Sequence, residues 1–321
     1  MTMTPILRSA SRSIARMATV ASLTAVACLG GAGVAHAQTP VTWTGVANAA
    51  WGTGSNWSST AVPTSSSDAT FNTAVNVNLN VSGTVSKLIF SNTATIAGSA
   101  SGNNAAFTLQ INNGLDHTAN NSGLSFMRIQ TLTLGGNQTW NLNGTNGLNN
   151  TGAIGFTIVP NSGATVPNAF NLNGNTLTKT GAGQVVLGGV TIGDGSFDVS
   201  QGSVRFATFG TGGILTTATG SGVVTVRDGA AVIFAVGSTS GRFNFTKQIR
   251  MEGSVGAPST MQTNGSVTTT GTIAAPIEWA GVSNLEHYWV VGGNRRMELT
   301  GNWTGTGSVT MLVTSTSAPA Q

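Results

Sequence analysis

Cysteine is almost absent from this sequence, since Cys28 is the one copy in 321 residues. A disulfide framework is therefore excluded, and so is a zinc site built on cysteines. Histidine is nearly as scarce: after residue 37 it occurs as His117 and His287, far apart in the chain. No phosphate-binding Gly-Lys-Ser/Thr loop and no calcium-binding Gly-Gly-x-Gly-x-Asp repeat occurs. We therefore expect neither a metal nor a cofactor.

Charge is also scarce, at 7% of the chain, against about 25% in ordinary soluble proteins. Three of the 13 basic residues lie in the first 37 positions, and without them ten basic residues face nine acidic ones, a net charge of +1. This balance lacks the basic surface that nucleic-acid binding requires. Hydrophobic residues reach 40%, so the chain is expected to fold, with little charge repulsion to oppose self-association.

Residues 1–37 have the pattern of a secretory signal peptide. Arg8, Arg12 and Arg16 precede an apolar stretch of about 17 residues, which ends before Ala35-His36-Ala37. The stretch is shorter than the roughly 20 residues of a membrane-spanning helix. Cleavage after Ala37 is expected, and no transmembrane segment is expected in the mature chain. An uncleaved anchor and a lipid-modified Cys28 are the alternatives.

Short β-strands are predicted throughout the mature chain. Between residues 71 and 81 apolar residues alternate with asparagine, which is the period of a strand with one buried face. Shorter runs follow at 107–111, 129–134, 140–142, 223–226 and 232–234. Turn-forming pairs such as Asn173-Gly174 and Asp228-Gly229 bound these runs. No helical period is convincing, so the fold class is predicted to be all-β.

Two architectures bury such strands, a β-sandwich and a solenoid of stacked coils. Repeated words favour the solenoid: Asn-Leu-Asn-Gly begins at 141 and at 171, and Gly-Ser-Val begins at 202, 253, 265 and 307. About ten coils of roughly 20–25 residues are expected. The repeat region is placed at 71–321, after a tryptophan-rich N-terminal cap at 38–70.

The segment from Leu172 to Val204 resembles the passenger-associated repeat of bacterial autotransporter adhesins. The resemblance rests on the sequence LNGNTLTKTGAG, then Val185 to Leu187 and Gly202-Ser203-Val204. Residues 132–140 and 222–234, and the tryptophan motifs near the N-terminus, resemble flanking segments of that family. The resemblance implies a right-handed parallel β-helix that is secreted and displayed at the cell surface or released from a Gram-negative-type bacterium.

The family also has a C-terminal membrane barrel of alternating strands with an aromatic girdle. The present sequence ends in the polar segment 315–321, and we expect no barrel within it. Either the sequence is part of a longer autotransporter, or the protein crosses the outer membrane by another route.

Few residues are candidates for carboxylate-based catalysis, because the chain after residue 37 has only nine aspartates and glutamates. Asp194 and Asp198 flank a turn and could form a glycosidase-type pair, but turn formation is the simpler role. Glu286-His287-Tyr288-Trp289, with Arg295, Arg296 and Glu298, is a second candidate, for chemistry on a sugar acid. A looped or capping coil with surface ion pairs is the simpler interpretation of this segment. Asp116-His117 is interpreted as a loop. We predict a non-enzymatic protein.

Tryptophan provides the remaining signal. Trp43, Trp51 and Trp57 are clustered, and the Trp303 segment Asn-Trp-Thr-Gly is similar to that around Trp43. Indole faces can stack on sugar rings, so the three N-terminal tryptophans are candidate glycan contacts. Covering the open end of a solenoid is the simpler interpretation of this cluster. The predicted function is an exported structural or adhesive β-helix, with glycans or self-association as possible partners; a carbohydrate-active or glycan-binding β-helix is the alternative.

Overall fold

The computed structural model describes residues 38–98, 107–119, 124–143, 155–160, 167–207, 216–236, 244–265, 270–290 and 296–316. The predicted signal peptide lies outside these residues. The described chain holds 28 β-strands, one short 3-10 helix at Gly54–Asn56 and no α-helix.

The first ten strands are β1 Thr39–Thr42, β2 Ser67–Phe71, β3 Val75–Asn78, β4 Gly83–Phe90, β5 Ala94–Ala97, β6 Thr108–Asp116, β7 Leu124–Arg128, β8 Thr131–Leu134, β9 Gln138–Asn141 and β10 Gly155–Ile158. The next nine are β11 Asn168–Asn171, β12 Thr176–Thr180, β13 Gln184–Gly188, β14 Val190–Ile192, β15 Ser196–Val199, β16 Ser203–Ala207, β17 Thr217–Ala218, β18 Val223–Val226 and β19 Ala231–Val236. The last nine are β20 Asn244–Phe245, β21 Gln248–Met251, β22 Ser259–Gly265, β23 Thr270–Ile273, β24 Ile277–Trp279, β25 Val282–Val290, β26 Arg296–Leu299, β27 Trp303–Thr304 and β28 Ser308–Thr316.

These strands form a parallel β-solenoid. From β8 onward the strands come in threes, and each strand pairs in parallel with the third strand before or after it, as β12 does with β9 and β15. Between β2 and β7 each coil has two strands. The long strand β6 takes the place of two strands of the later coils, because its first part pairs with β8 and its last part pairs with β9. Within the described ranges there are three two-strand coils and seven three-strand coils, which agrees with the predicted number of about ten. The all-β class and the stacked parallel sheets are confirmed.

Coil length is less regular than the sequence suggests. Paired residues in adjacent coils lie between 19 positions apart, as for Asp68 and Lys87, and 39 apart, as for Gln138 and Leu177. The Asn-Leu-Asn-Gly words are not equivalent: Asn141 pairs with Thr180, whereas Asn171 pairs with Thr133. The 30-residue word repeat is thus wrong as a structural period, because strand register follows inward-facing apolar residues and the loops between them vary freely.

Most predicted strands are confirmed, with two corrections near the N-terminus. The alternating run 71–81 is divided between β2 and β3, and Val81 beyond them is exposed. Strands β1 and β2 pair with each other, and β2 pairs with β4, so much of the predicted cap 38–70 already belongs to the sheet. Among the described residues, the segment between β1 and β2 covers the end.

The core is a continuous column of inward side chains. Along one sheet the register aligns Phe156, Val185, Val204, Val232, Met261 and Leu285, all of which are buried. Aromatic rings also contact one another from coil to coil at centroid distances of 4.8–6.4 Å. The rings in this series are Trp43, Trp57, Trp51, Phe71, Phe90, Phe156, Trp140, Phe170, Phe197, Phe206, Phe234 and Phe245. Ring contacts of this kind add about 0.5–1.5 kcal/mol each beyond burial.

Gly202 shows how closely neighbouring coils approach at a turn. Its φ is +66°, and a Cβ there would lie under 3.0 Å from the carbonyl oxygens of Gly181, Ala182 and Gly183. Gly229 has the same φ of +66°, but a Cβ added there would have no atom within 4 Å.

We expect Gly229→Ala to lower the free energy of unfolding by about 1 kcal/mol through backbone strain alone. Gly202→Ala should lower it by about 2 kcal/mol more, because the backbone of the neighbouring coil must also move. Urea unfolding of the pair measures the difference; equal costs would contradict the close approach.

Candidate functional site

The three N-terminal tryptophans form a buried cluster. Trp57 contacts Trp43 and Trp51 edge-to-face, each at a centroid distance of 4.9 Å, and contacts Phe71 at 6.0 Å. Its Nε1 donates to the carbonyl of Trp51 at 2.9 Å. Trp43 and Trp57 also form an antiparallel bridge. The exposed fractions of Trp43, Trp51 and Trp57 are 5%, 0% and 1%.

A buried asparagine holds the loop that carries this cluster. Asn56 Oδ1 accepts from the backbone amides of Ala47 and Asn48, and its Nδ2 donates to Asn48 Oδ1 and to the carbonyl of Ala50. The buried indole faces contradict the hypothesis that Trp43, Trp51 and Trp57 contact glycans, because a sugar needs an exposed ring face. They form an end cap, which is the other role that the sequence left open.

The structure gives Asp194 and Asp198 different partners. Asp194 Oδ1 accepts from the backbone amide and the hydroxyl of Ser221, at 2.7 and 3.0 Å. These bonds hold the pKa of Asp194 below its usual value. Asp198 receives two hydrogen bonds from the Arg227 guanidinium, at 2.7 and 3.0 Å. The lowered pKa of Asp194 is opposite to the raised pKa that a general acid needs. The carboxylate of Asp198 is occupied by Arg227.

A shallow polar groove adjoins Asp194. It measures about 550 Å³ and is lined by Asn171, Leu172, Asn173, Gly174, Gly193, Asp194 and Ser221. Asn173 and Gly174 both have positive φ, 53° and 75°, so the turn predicted from this pair is confirmed. The groove offers amide, hydroxyl and carboxylate groups on turns of successive coils.

The Glu286–Trp289 segment is strand rather than loop, because it lies within β25. His287 Nδ1 lies 2.7 Å from Thr263 Oγ1 in the preceding coil. Along β25 Leu285 is buried while Glu286 is half-buried, which places the two on opposite faces of the sheet. The side chains of Tyr288, Trp289 and Arg296, and all of Arg295, lie outside the described residues. The contact that is described for this segment is thus the one between His287 and Thr263 of the adjacent coil.

His117 is a core residue rather than part of a loop. It follows β6, is fully buried, packs against Phe90 and lies 3.0 Å from Ser125 Oγ through Nε2. Burial lowers the pKa of this imidazole. Asp116 instead accepts from Thr118 and forms an ion pair with Lys87 at 3.3 Å. The two neighbours thus face different environments.

Two buried lysines are functional groups that our sequence analysis missed. Lys179 is 0% exposed, and its Nζ donates to the carbonyls of Thr180, Gly181 and Gln201 at 2.8, 2.8 and 3.2 Å. Lys247 donates to the carbonyls of Gly195 and Ser221 at 2.9 and 2.5 Å. Both join turns of different coils. The available signal was phase. Lys179 has the same inward parity as Leu177 in β12, and Lys247, between β20 and β21, has the same parity as the buried Phe245 and Ile249.

Burial changes the acidity of both ammonium groups. Loss of hydration lowers the pKa of Lys179 to about 7. It also lowers the pKa of Lys247, while the nearby Asp194 carboxylate opposes that change. The carbonyl oxygens satisfy the ammonium protons, which is the condition under which a buried charge is tolerated.

Five charged side chains form a ladder along the solenoid wall. Arg227 bridges Asp198 and Glu252, and Arg250 lies 2.7 Å from Glu252 and 3.8 Å from Glu278. Asp198, Arg250 and Glu278 lie on three strands in register, β15, β21 and β24, with β18 between the first two. The ladder joins four coils in a chain with few charges.

We expect Arg227→Gln to lower the free energy of unfolding by about 1 kcal/mol in low salt, because three close hydrogen bonds to two carboxylates are lost. In 1 M NaCl the difference should shrink, because the side chains are partly exposed and their charges are screened. Arg250→Gln, which loses one close partner, is the matched control and should cost less. Urea midpoints at both salt concentrations give the test; a salt-independent cost would argue against an electrostatic ladder.

An exposed apolar groove lies against the last described coil. It measures about 360 Å³ and is lined by Thr263, Leu285, His287, Leu299, Trp303, Met311 and Leu312. By register Met311 continues the core column of Val185 to Leu285, and Trp303 continues the column of Leu177, Phe197, Val224, Ile249 and Ile277. Earlier members of both columns are at most 7% exposed, yet Met311 is 70% and Trp303 47% exposed. Among the described rings, Trp303 contacts the edge of Trp279, at 5.6 Å.

Comparisons with known proteins find no matching family model, no similar curated protein and no similar solved structure. Among the described residues no group of three or more His, Cys, Asp or Glu side chains is placed to bind a metal ion. No helix in the described part of the chain is long and apolar enough to cross a membrane.

Proposed function

We propose that this protein is exported and acts as a structural or adhesive element at the bacterial cell surface or outside the cell. The observation that carries the proposal is the ten-coil parallel solenoid, which is closed at its N-terminal end by buried tryptophans. Such a fold offers a long, regular wall rather than a catalytic cleft. The coils are proposed to wind right-handed, since parallel strand connections are right-handed in about 98% of cases.

Three further observations support this role. The leader-like pattern of residues 1–37 would direct export. The scarcity of charge leaves hydroxyl and amide side chains as the main outward groups. Two of the carboxylates considered for catalysis are engaged elsewhere, Asp194 with Ser221 and Asp198 with Arg227. The resemblance of residues 172–204 to autotransporter passenger repeats agrees with these observations.

Export is tested by expressing the full chain in a Gram-negative host and determining the N-terminus of the product. We expect the mature protein to begin at Gln38 and to be cleaved by protease added to intact cells, or to be found in the medium. A matched variant, Ala35→Lys with Ala37→Lys, should remain unprocessed because signal peptidase requires small residues there. Protein that stays in the cytoplasm with Met1 or Thr2 at its N-terminus would refute the proposal.

Glycan binding at the polar groove is a second candidate function. The groove beside Asp194 places Asn171, Asn173 and Ser221 on turns of neighbouring coils, where amides and hydroxyls can bond sugar hydroxyls. None of the described residues that line it is aromatic, so binding would rest on hydrogen bonds and should be weak.

A glycan array compares the wild type with a double variant that carries both Asn171→Ala and Asn173→Ala. Loss of a binding signal in the double variant supports the groove. Asn80→Ala, remote from this groove, serves as the control. Equal binding by all three proteins would exclude this groove as the glycan site.

A further inference from the structure

Three polar side chains from successive coils surround the carboxamide of Gln38. Asp68 lies in β2, Ser86 in β4 and Asn113 in β6. The carboxamide is assigned with Nε2 toward Asp68, because this orientation gives both of its polar atoms partners. Nε2 then donates to Oδ2 and Oδ1 of Asp68, at 2.9 and 3.2 Å. Oε1 accepts from Ser86 Oγ and Asn113 Nδ2, at 2.7 and 3.1 Å. We call Asp68, Ser86 and Asn113 the carboxamide cradle.

A β-bulge builds one side of the cradle. The register between β4 and β6 shifts at Ser86, so that one residue of β4 lies opposite two residues of β6. Bulges of this kind re-aim side chains, and they are common beside functional sites. Here Asn113 Nδ2 donates to Ser86 Oγ at 2.9 Å, and Ser86 is fully buried. The Ser86 hydroxyl thus accepts one hydrogen bond from Asn113 and donates another to Gln38.

Gln38 becomes the first residue of the mature chain when the leader is cleaved after Ala37, so this inference rests on the proposed export. The amine of an N-terminal glutamine can attack its own side chain and form pyroglutamate. A bond forms between the α-amino nitrogen and Cδ, the bond between Cδ and Nε2 breaks, and Nε2 leaves as ammonia with a proton from the amine. The reaction consumes no other reactant, so it requires only that Cδ approach the amine.

The cradle holds Cδ away from that amine. In the parallel pair of β1 and β2, Asp68 is the partner of Pro40, two residues beyond Gln38. The Gln38 side chain therefore extends forward along β1 and across the sheet, away from its own backbone nitrogen. Before cyclisation it must also give up hydrogen bonds to a carboxylate, which are stronger than bonds between neutral groups. We propose that the cradle is a binding site for the carboxamide of the mature N-terminal residue, and that it keeps this residue as glutamine with a free amine.

The test follows pyroglutamate formation at neutral pH by mass spectrometry, as loss of ammonia from the N-terminal peptide. The chain 38–321, which contains every described strand, is released from a cleavable tag so that Gln38 comes first. We expect the native protein to cyclise about tenfold more slowly than the same chain in urea, because hydrogen bonds to a charged group must open first. Native Asp68→Ala and Asn113→Ala should cyclise nearly as fast as the unfolded chain. Asp228→Ala, at an exposed turn, is the matched control and should be as slow as the wild type.

Asn113→Ala separates the cradle from the pairing of β1 with β2, because Asn113 lies in β6. Far-UV circular dichroism checks that each variant is folded. Two results would overturn the proposal: a native wild type that cyclises as fast as in urea, or cradle variants that cyclise as slowly as the wild type. A failure of export would appear separately, as a cellular product that begins at Met1 or Thr2, and would not change the outcome of this measurement.

Discussion

Replacing Trp57 by alanine is expected to lower the free energy of unfolding by about 3–5 kcal/mol, the range for large aromatic residues in a core. Trp57 is 1% exposed and contacts the rings of Trp43, Trp51 and Phe71. Its loss removes the centre of the cap and also the hydrogen bond to the carbonyl of Trp51. Because each coil is supported by its neighbours, the first coils should then exchange their amide hydrogens faster than the rest.

Trp303→Ala is the matched control for this prediction. Trp303 is half exposed and has one ring contact among the described residues, with Trp279. Its removal should cost about 1–2 kcal/mol, since little buried surface is lost. Denaturant unfolding combined with hydrogen exchange measures both variants. Similar costs for the two tryptophans would mean that Trp57 does not seal the solenoid.

The stability of the wild type is expected to rise with pH between about 7 and 10 because of Lys179. Burial lowers the pKa of this residue in the folded state to about 7, whereas an unfolded lysine titrates near 10.4. Between these values the unfolded chain binds more protons than the folded one, so unfolding becomes less favourable as pH rises. Three pH units correspond to at most about 4 kcal/mol from this residue.

Lys179→Met isolates this contribution, because methionine keeps much of the volume without a titrating group. The difference in unfolding free energy between wild type and variant should shift in favour of the wild type as pH increases from 7 to 10. Below pH 7 the difference should be nearly constant. Urea unfolding at pH 6, 8 and 10 gives the comparison. Parallel pH profiles would show that the three carbonyls hold the ammonium protonated throughout.

Strand periodicity predicts much of the fold, because each strand must place an apolar residue at every second position to fill the core. The run at 223–226 coincides with β18, and the turns at Asn173-Gly174 and Asp228-Gly229 connect strands. Coil length was predicted less well, since the chain between Leu142 and Asn168 lengthens one coil without disturbing the inward register. A repeated word can recur on a different sheet position, as Asn141 and Asn171 do, because turn chemistry is the same on every side of a solenoid.

The candidate sites were harder to predict than the fold. A short motif that contains tryptophan does not show whether the ring is buried. Trp43 and Trp303 have similar neighbours in sequence, yet their exposed fractions are 5% and 47%. The chemistry of Lys179 depends on carbonyls from two turns, which local sequence does not reveal. The open groove depends on the register of β25 and β28, a relation between residues 26 positions apart.

The register has one more consequence. Within the described sheets, each inner three-strand coil pairs with the coil before it and with the coil after it. If that coil were removed, the two flanking coils would present matching strand edges to each other. A whole coil could therefore be gained or lost by duplication or deletion of its gene segment, with the flanking coils rejoining across the gap. Each such event would change the height of the protein by one strand spacing, about 4.8 Å. In a lineage of such proteins, length would vary in these steps while the tryptophan cap stayed the same.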